Sequence, residues 1–167
     1  MGDAGNIDCL FVYGTLLPTA RSLLGSVERR RLSSEGTWLG DARVAGRLFD
    51  LGADLATPSP DHSPASRLNK GHVSELESQI DAASDQLEPL RNFILPGGTV
   101  LAARLHIART VCRRAERQVV ELAEHEALDP LATVYLNRLA DLLFAQARLA
   151  NAKAGVADVP WLPERGS

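Results

Sequence analysis

Hydrophobic positions along this chain change their spacing part-way through, and the change divides it into two regions. In the first fifty residues the apolar positions come in short runs. Asp8–Tyr13 (DCLFVY) is a compact apolar segment closed by Gly14 and predicts a buried strand. A second short strand is expected around Arg43–Leu48, with Gly36, Gly40 and Gly46 as punctuation. Between them, Glu28–Gly36 (ERRRLSSEG) reads as a loop or a solvated face. Thr57–Ser66 (TPSPDHSPAS) is too rich in proline and serine to be anything but a loop. From Leu68 onward the spacing becomes helical. Asn69 can cap a helix reaching about Leu87, with Val73, Leu76 and Ile80 on one stripe and Pro89 as its stop. Thr99 can cap a second helix lasting to about His125. Asp129–Pro130 opens a third, from Leu131 to about Lys153. The tail Pro160–Arg165 (PWLPER) can pack Trp161 back on the bundle, and no internal repeat is visible.

The middle one of these helices carries an unusual edge. At 100° per residue, with Arg109 at zero, Arg113 falls near 40°, His106 near 60°, Arg117 near 80° and Glu116 near −20°. Leu101, Leu105, Ala108, Val111, Cys112, Ala115, Val119 and Leu122 fill the apolar sector, and Arg104 falls inside it. Like charges at i,i+4 repel, so Arg109, Arg113 and Arg117 need something anionic to face them. Glu116, Glu121 and carboxylates of neighbouring helices would serve, and so would a polyphosphate, which guanidinium forks match well. On the last helix Asn137, Asp141, Phe144 and Arg148 form a polar seam among Leu136, Leu139, Leu142 and Leu143. A buried seam needs partners, which either a structural network or a ligand between helices can supply.

Composition narrows the choices. A chain of 167 residues has room for one domain with a real core, and 45% hydrophobic with 23% charged residues is ordinary for a globular protein. A net charge of −3 offers no field for nucleic acid, so none is expected as a partner. Cys9 and Cys112 lie far apart and suggest two reduced thiols. His62, His72, His106 and His125 show no metal-ligand spacing, so no metal site is expected. No apolar run approaches the ~18 residues of a membrane span. The opening MGDAGNIDCLFVYG lacks the basic start of a secretory signal, and Asn6 stands where a myristoylation motif wants Ser or Thr. A cytoplasmic location with no membrane partner is the expectation.

Three segments resemble one known family closely. FILPGG (Phe93–Gly98), LHIARTVCRRAER (Leu105–Arg117) and YLNRLADLLFAQAR (Tyr135–Arg148) look like the C-terminal half of the PduO-type ATP:cob(I)alamin adenosyltransferases. LFDLGADLATPS (Leu48–Ser59) and RLNKGHVSELESQID (Arg67–Asp81) resemble its middle, so the likeness runs from about Leu48 to Trp161. The resemblance implies a helical bundle that forms a homotrimer with active sites between subunits. It implies ATP, with Mg, and cobalamin as substrates, the 5′-deoxyadenosyl group passing from ATP to cob(I)alamin with release of triphosphate. Carried over by position, Arg113, Glu116, Arg117 and Asn137 would hold ATP, with Arg113 as the catalytic residue. Arg109 matches an arginine paired with an aspartate of the neighbouring subunit, and Asp141 would support the site from behind. Phe93 matches the aromatic that crowds the lower face of the corrin. Guanidiniums suit a leaving triphosphate, and an apolar wedge disfavours an axial cobalt ligand and so eases reduction to the Co(I) nucleophile.

The likeness is incomplete. No TKTGD-like phosphate loop, and no first helix bearing the partner aspartate, is legible upstream of Leu48. LFVYGTL (Leu10–Leu16) and ARVAGRLFDLG (Ala42–Gly52) instead resemble the start of the gamma-glutamylcyclotransferase-like fold, where the YGTL turn would present backbone N–H groups to a carboxylate. The shared word Leu48–Gly52 would end a strand in one pattern and a helix in the other, which points to a chimeric sequence. The expected architecture is therefore mainly α. Residues 1–47 form a gamma-glutamylcyclotransferase-like segment of strands and loops, and residues 48–167 a partial adenosyltransferase-like helical bundle. The expected function is corrinoid adenosyl transfer, weak or lost with the phosphate loop. A gamma-glutamylcyclotransferase-like enzyme and a non-catalytic helical oligomer are the alternatives.

Overall fold

The structure, a computed structural model, describes residues 42–56 and 67–162. The strand expected at Asp8–Tyr13, the turn at Tyr13–Leu16, and the segments Glu28–Gly36 and Thr57–Ser66 lie outside these residues. Among the described residues the regular elements are helices: α1 (Ala42–Leu55), α2 (Lys70–Ser84), α3 (Val100–Leu122) and α4 (Leu131–Lys153). The mainly α expectation holds. One isolated antiparallel bridge, Ile94 to Pro160, is the β pairing seen among them.

The strand expected around Arg43–Leu48 is a helix. The reason lies in a stripe that the short-run reading overlooked. Val44, Leu48 and Leu51 recur at i, i+4 and i+7, all three are buried, and Leu55 packs behind them. Gly46 and Gly52, read as punctuation, sit inside the helix with nothing near the position of a Cβ. A helical glycine costs about 1 kcal/mol relative to alanine, less than the burial of one leucine returns. The word Leu48–Gly52 lies wholly within α1, and the helix runs across residues 47 and 48 without a break. Arg43 pairs with Glu75 of α2 at 2.7 Å, and the Arg67 side chain and backbone both bind Asp54, fixing α1 against the start of α2.

The other helix starts follow the sequence. Asn69 Oδ1 accepts from the His72 backbone N–H at 3.2 Å while the His72 ring accepts from the Asn69 N–H, a reciprocal cap with histidine in the usual Glu position. Thr99 Oγ1 accepts from the Ala102 N–H at 3.1 Å. At α4 the cap is shifted by one residue: Pro130 occupies the N-cap position, and Asp129 Oδ1 accepts from the Leu131 N–H at 2.9 Å. α2 and α3 stop at Ser84 and Leu122, a few residues before the expected ends, and continue as hydrogen-bonded turns through Leu87 and Glu126.

α4 is the axis of the bundle, packing along both α3 and α2. Tyr135, Leu136, Leu139, Leu142 and Leu143 from α4 meet Leu105, Cys112 and Val119 from α3 and Val73 and Leu76 from α2 in one core, which Val44, Leu48 and Leu51 of α1 extend. At ~1.5–3 kcal/mol per fully buried large aliphatic side chain, this cluster dominates the stability of the described fold. A smaller cluster of Ala83, Ala145 and Leu149, with Leu87 against it, closes the far end of α2.

Candidate functional site

Helix α3 turns its apolar sector to α4, and this places the arginine edge along the seam between the two helices. The three guanidiniums that looked equivalent in the sequence occupy three different environments. Arg109 is half-buried, its guanidinium carbon 5.2 Å from the centre of the Phe144 ring, and its Nε is buried without a hydrogen bond among the described residues. Arg113 donates through one nitrogen to both oxygens of Glu116, at 2.6 and 2.9 Å, and its side chain remains 41% exposed. Arg117 is exposed and has no hydrogen-bond partner among the described residues. The row thus runs from the interior to the surface over two helical turns.

Glu116 is the hub of this arrangement. It is buried, and a buried carboxylate needs partners to offset its desolvation. Arg113 supplies charge from the same helix. Asn137 Nδ2 supplies a second donor from α4 at 3.0 Å, and Asn137 Oδ1 accepts from Arg138 at 2.9 Å. Arg113, Glu116 and Asn137 are therefore brought together. Asp141 pairs with Arg138 at 3.4 Å, and Arg138 is the residue that donates to Asn137. The remaining N–H groups of Arg113 point to no partner among the described residues, so the fork can still take an oxyanion.

One turn before Arg109, His106 is buried with its ring 6.0 Å from Phe144 at an interplanar angle of 62°. Burial lowers its pKa below the ordinary 6.5, the Arg109 charge lowers it further, and Asp158 opposes both. Arg148 at the other end of the seam donates to Asp158 at 2.7 Å and to the Glu88 carbonyl at 2.7 Å. An open cavity of about 680 Å³ adjoins this pair, lined by Asp85, Glu88, Arg148 and Asp158. It lies about 16 Å along α4 from Asn137, away from the arginine row. Cys112, behind the row, is a buried thiol that donates to the Leu136 carbonyl; burial and Glu116 push its pKa up to about 12, so it is not a nucleophile.

Phe93 stands apart from the arginines. It lies in the loop leading into α3, 81% exposed. The loop beneath it is tightly built. Asn151, buried in the last turn of α4, accepts from the Thr99 N–H at 2.9 Å and its hydroxyl at 3.2 Å, and donates to the Gly97 carbonyl at 3.1 Å. Gly98 adopts φ +98°, and a Cβ there would fall 2.2 Å from Asn151 Oδ1. The PGG word is thus shaped by a side chain 53 residues away (Gly98 to Asn151). The sequence reading missed Asn151; its one legible sign was an asparagine near the end of the last helix.

The sequence and the helical fold are similar to those of known proteins. The profile of the cobalamin adenosyltransferase family matches residues 11–150. A corrinoid adenosyltransferase of Bacillus subtilis (strain 168) is 47% identical over 120 residues, which cover 71% of this chain and 60% of that protein. A corrinoid adenosyltransferase of Mus musculus is 46% identical over 117 residues, covering 68% and 49% respectively. The chain therefore spans about 60% of the length of the Bacillus relative and half that of the mouse one. A solved variant of the PduO-type ATP:corrinoid adenosyltransferase from Lactobacillus reuteri, complexed with cobalamin and ATP, superposes with a TM-score of 0.81 at 35% identity, covering 96% of this chain and 85% of that one. The family match begins at residue 11 and takes in most of the segment that looked gamma-glutamylcyclotransferase-like. That second resemblance has no support here, and α1 contradicts the strand on which it ended. With the family profile covering most of the chain and the helical fold in agreement, the chain belongs to the cobalamin adenosyltransferase family.

Proposed function

We propose that the protein binds ATP and a corrinoid and transfers the 5′-deoxyadenosyl group from ATP to cob(I)alamin. In this reaction cobalt attacks C5′, a Co–C bond forms, the C5′–O bond breaks, and triphosphate leaves with the bonding electrons. The observation that carries the reading is the Arg113–Glu116–Asn137 network, which joins α3 to α4 and leaves part of the Arg113 fork open beside exposed Arg117. Arg113, as the catalytic residue, would neutralise charge on the leaving triphosphate, and a preorganised donor of this kind is worth ~10²–10³ in rate. Glu116 and Asn137 would hold that guanidinium and the nucleotide, and Arg117 would add charge from the rim. Asp141 would act from behind through Arg138. Phe93 would press on the lower corrin face. Mg would accompany the triphosphate, bound chiefly by phosphate oxygens.

Phe93 and Arg113 are far apart on one chain: Val100, at the start of α3, and Arg113 differ by about 20 Å along the helix. A site that joins the two therefore favours a second copy, in keeping with a homotrimer in which Arg109, with its buried, unbonded Nε, faces an acidic group of the neighbour. We expect the helical residues Arg113, Glu116, Arg117 and Asn137 to contribute to ATP binding.

Calorimetric titration with MgATP is the test, wild type against Arg113→Ala. Binding that weakens tenfold or more in the variant supports the reading. An unchanged heat means the arginine edge serves protein contacts alone, and with an oligomer still present on sizing it would leave a helical assembly without nucleotide chemistry. Adenosylcobalamin formation from ATP and reduced corrinoid, followed by absorbance, then reads the turnover.

A further inference from the structure

His106 is a buried side chain on the arginine edge with no part in the proposed chemistry, and its surroundings connect it to Arg109. The two residues lie at i and i+3 on α3 and so share a face. Both meet the same ring of α4. The imidazole is tilted against Phe144 with centroids 6.0 Å apart, and the Arg109 guanidinium carbon lies 5.2 Å from the centre of that phenyl ring. Neither polar group is tied down at its inner end: His106 Nε2 and Arg109 Nε are both buried without a hydrogen-bond partner among the described residues. The guanidinium therefore depends on its aromatic platform, and the platform on what packs beside it. His106 is only 6% exposed and is confined by that packing, whereas Phe144 and Arg109 are partly open to solvent. Two flat rings prefer this tilted arrangement, which a branched aliphatic side chain of similar volume does not supply.

We propose that His106 is a positioning residue for Arg109: its ring sets the tilt of Phe144, and the phenyl platform holds the guanidinium in the orientation that meets the neighbouring copy. This rests on the role given to Arg109 above. His106 itself need not touch the reacting atoms. The charges around the imidazole agree with this task. Burial and Arg109, on the same helix, act against its protonation, and Asp158, on the segment after α4 and paired with Arg148, acts for it. A neutral ring supports the guanidinium through Phe144, while a charged one would repel it and compete for the same phenyl face.

The readout is exchange of the Arg109 Nε proton with water, followed by nuclear magnetic resonance on the full chain at matched pH, with the signal identified by its loss in Arg109→Lys. It requires no turnover. Slow exchange is expected in the wild type because Nε is buried. His106→Leu fills the space without a flat ring and should exchange about 3- to 10-fold faster at pH 7, the weight of one aromatic pair, while His106→Phe should stay within about twofold of wild type. As pH falls from 7.5 to 5, wild-type exchange should rise relative to His106→Phe, because only the imidazole gains a charge. Equal protection in His106→Leu and His106→Phe would show that bulk alone suffices and would overturn the inference, as would fast exchange in the wild type. If His106→Leu lowers the melting temperature, the pH comparison with His106→Phe decides, and parallel curves sink the proposal. Adenosylcobalamin formation by the same proteins separates this inference from the functional reading. A kcat that falls in His106→Leu and recovers in His106→Phe supports both. Exchange that behaves as expected, with no product from any protein including the wild type, overturns the transfer reading and leaves the positioning role standing.

Discussion

Gly98 shows how much one position can demand. Its positive φ excludes an ordinary side chain, and its α-carbon lies where Asn151 must pass to reach Thr99 and Gly97. Gly98→Ala is expected to cost more than about 2 kcal/mol, read by urea denaturation, because strain and a steric clash add. Asn151→Ala should cost ~1–3 kcal/mol by leaving the Thr99 N–H and Gly97 carbonyl without partners. His106 gives a prediction in pH. Its folded pKa lies below the ordinary 6.5, so the folded state prefers the neutral ring. Its contribution is fully present above pH 6.5 and is lost as pH falls through the lower folded value, where the unfolded chain binds the extra proton. Melting temperatures of wild type and His106→Phe, compared from pH 7.5 to 5, should therefore converge or cross on the acid side, with the wild type falling faster. Equal slopes would show that Asp158 fully offsets the lowering by burial and by Arg109.

Between elements, the seam of α3 and α4 joins charge to packing. Glu116 takes Arg113 from its own helix and Asn137 from the next, so the polar hub forms only when the apolar faces have already docked. A double-mutant cycle on Glu116→Ala and Asn137→Ala should return a coupling of about 0.5–3 kcal/mol, and a value near zero would mean the bond is idle in solution. Local caps are more independent. Asn69→Ala removes an acceptor from the first turn of α2 and should cost about 1 kcal/mol without disturbing ATP binding.

For the whole molecule the question is where stability resides. Leu139 sits at 1% exposure in the core shared by α2, α3 and α4. Leu139→Ala should cost ~2–5 kcal/mol, whereas Ile107→Ala, on the exposed outer face of α3, should stay within about 0.5 kcal/mol in the monomer. A larger loss at Ile107 that depends on protein concentration would place that face in a subunit contact.

Periodicity and end signals determined three helices in advance. Asn69, Thr99 and Asp129–Pro130 mark their starts because a cap is chosen by residues only two or three positions away. The family was legible for a similar reason: FILPGG, the arginine run and Tyr135–Arg148 are contiguous words. What sequence reading got wrong was α1, where two glycines and a short apolar run masked a stripe whose meaning depends on the core it enters. Tertiary structure alone decided the fates of the three arginines, the Asn151 bond to the PGG loop and the edge-to-face contact of Trp161 with Phe93. Each of these joins side chains on separate elements or sorts identical residues by their surroundings. Spacing along a chain specifies which residues share a face; only packing specifies what that face meets.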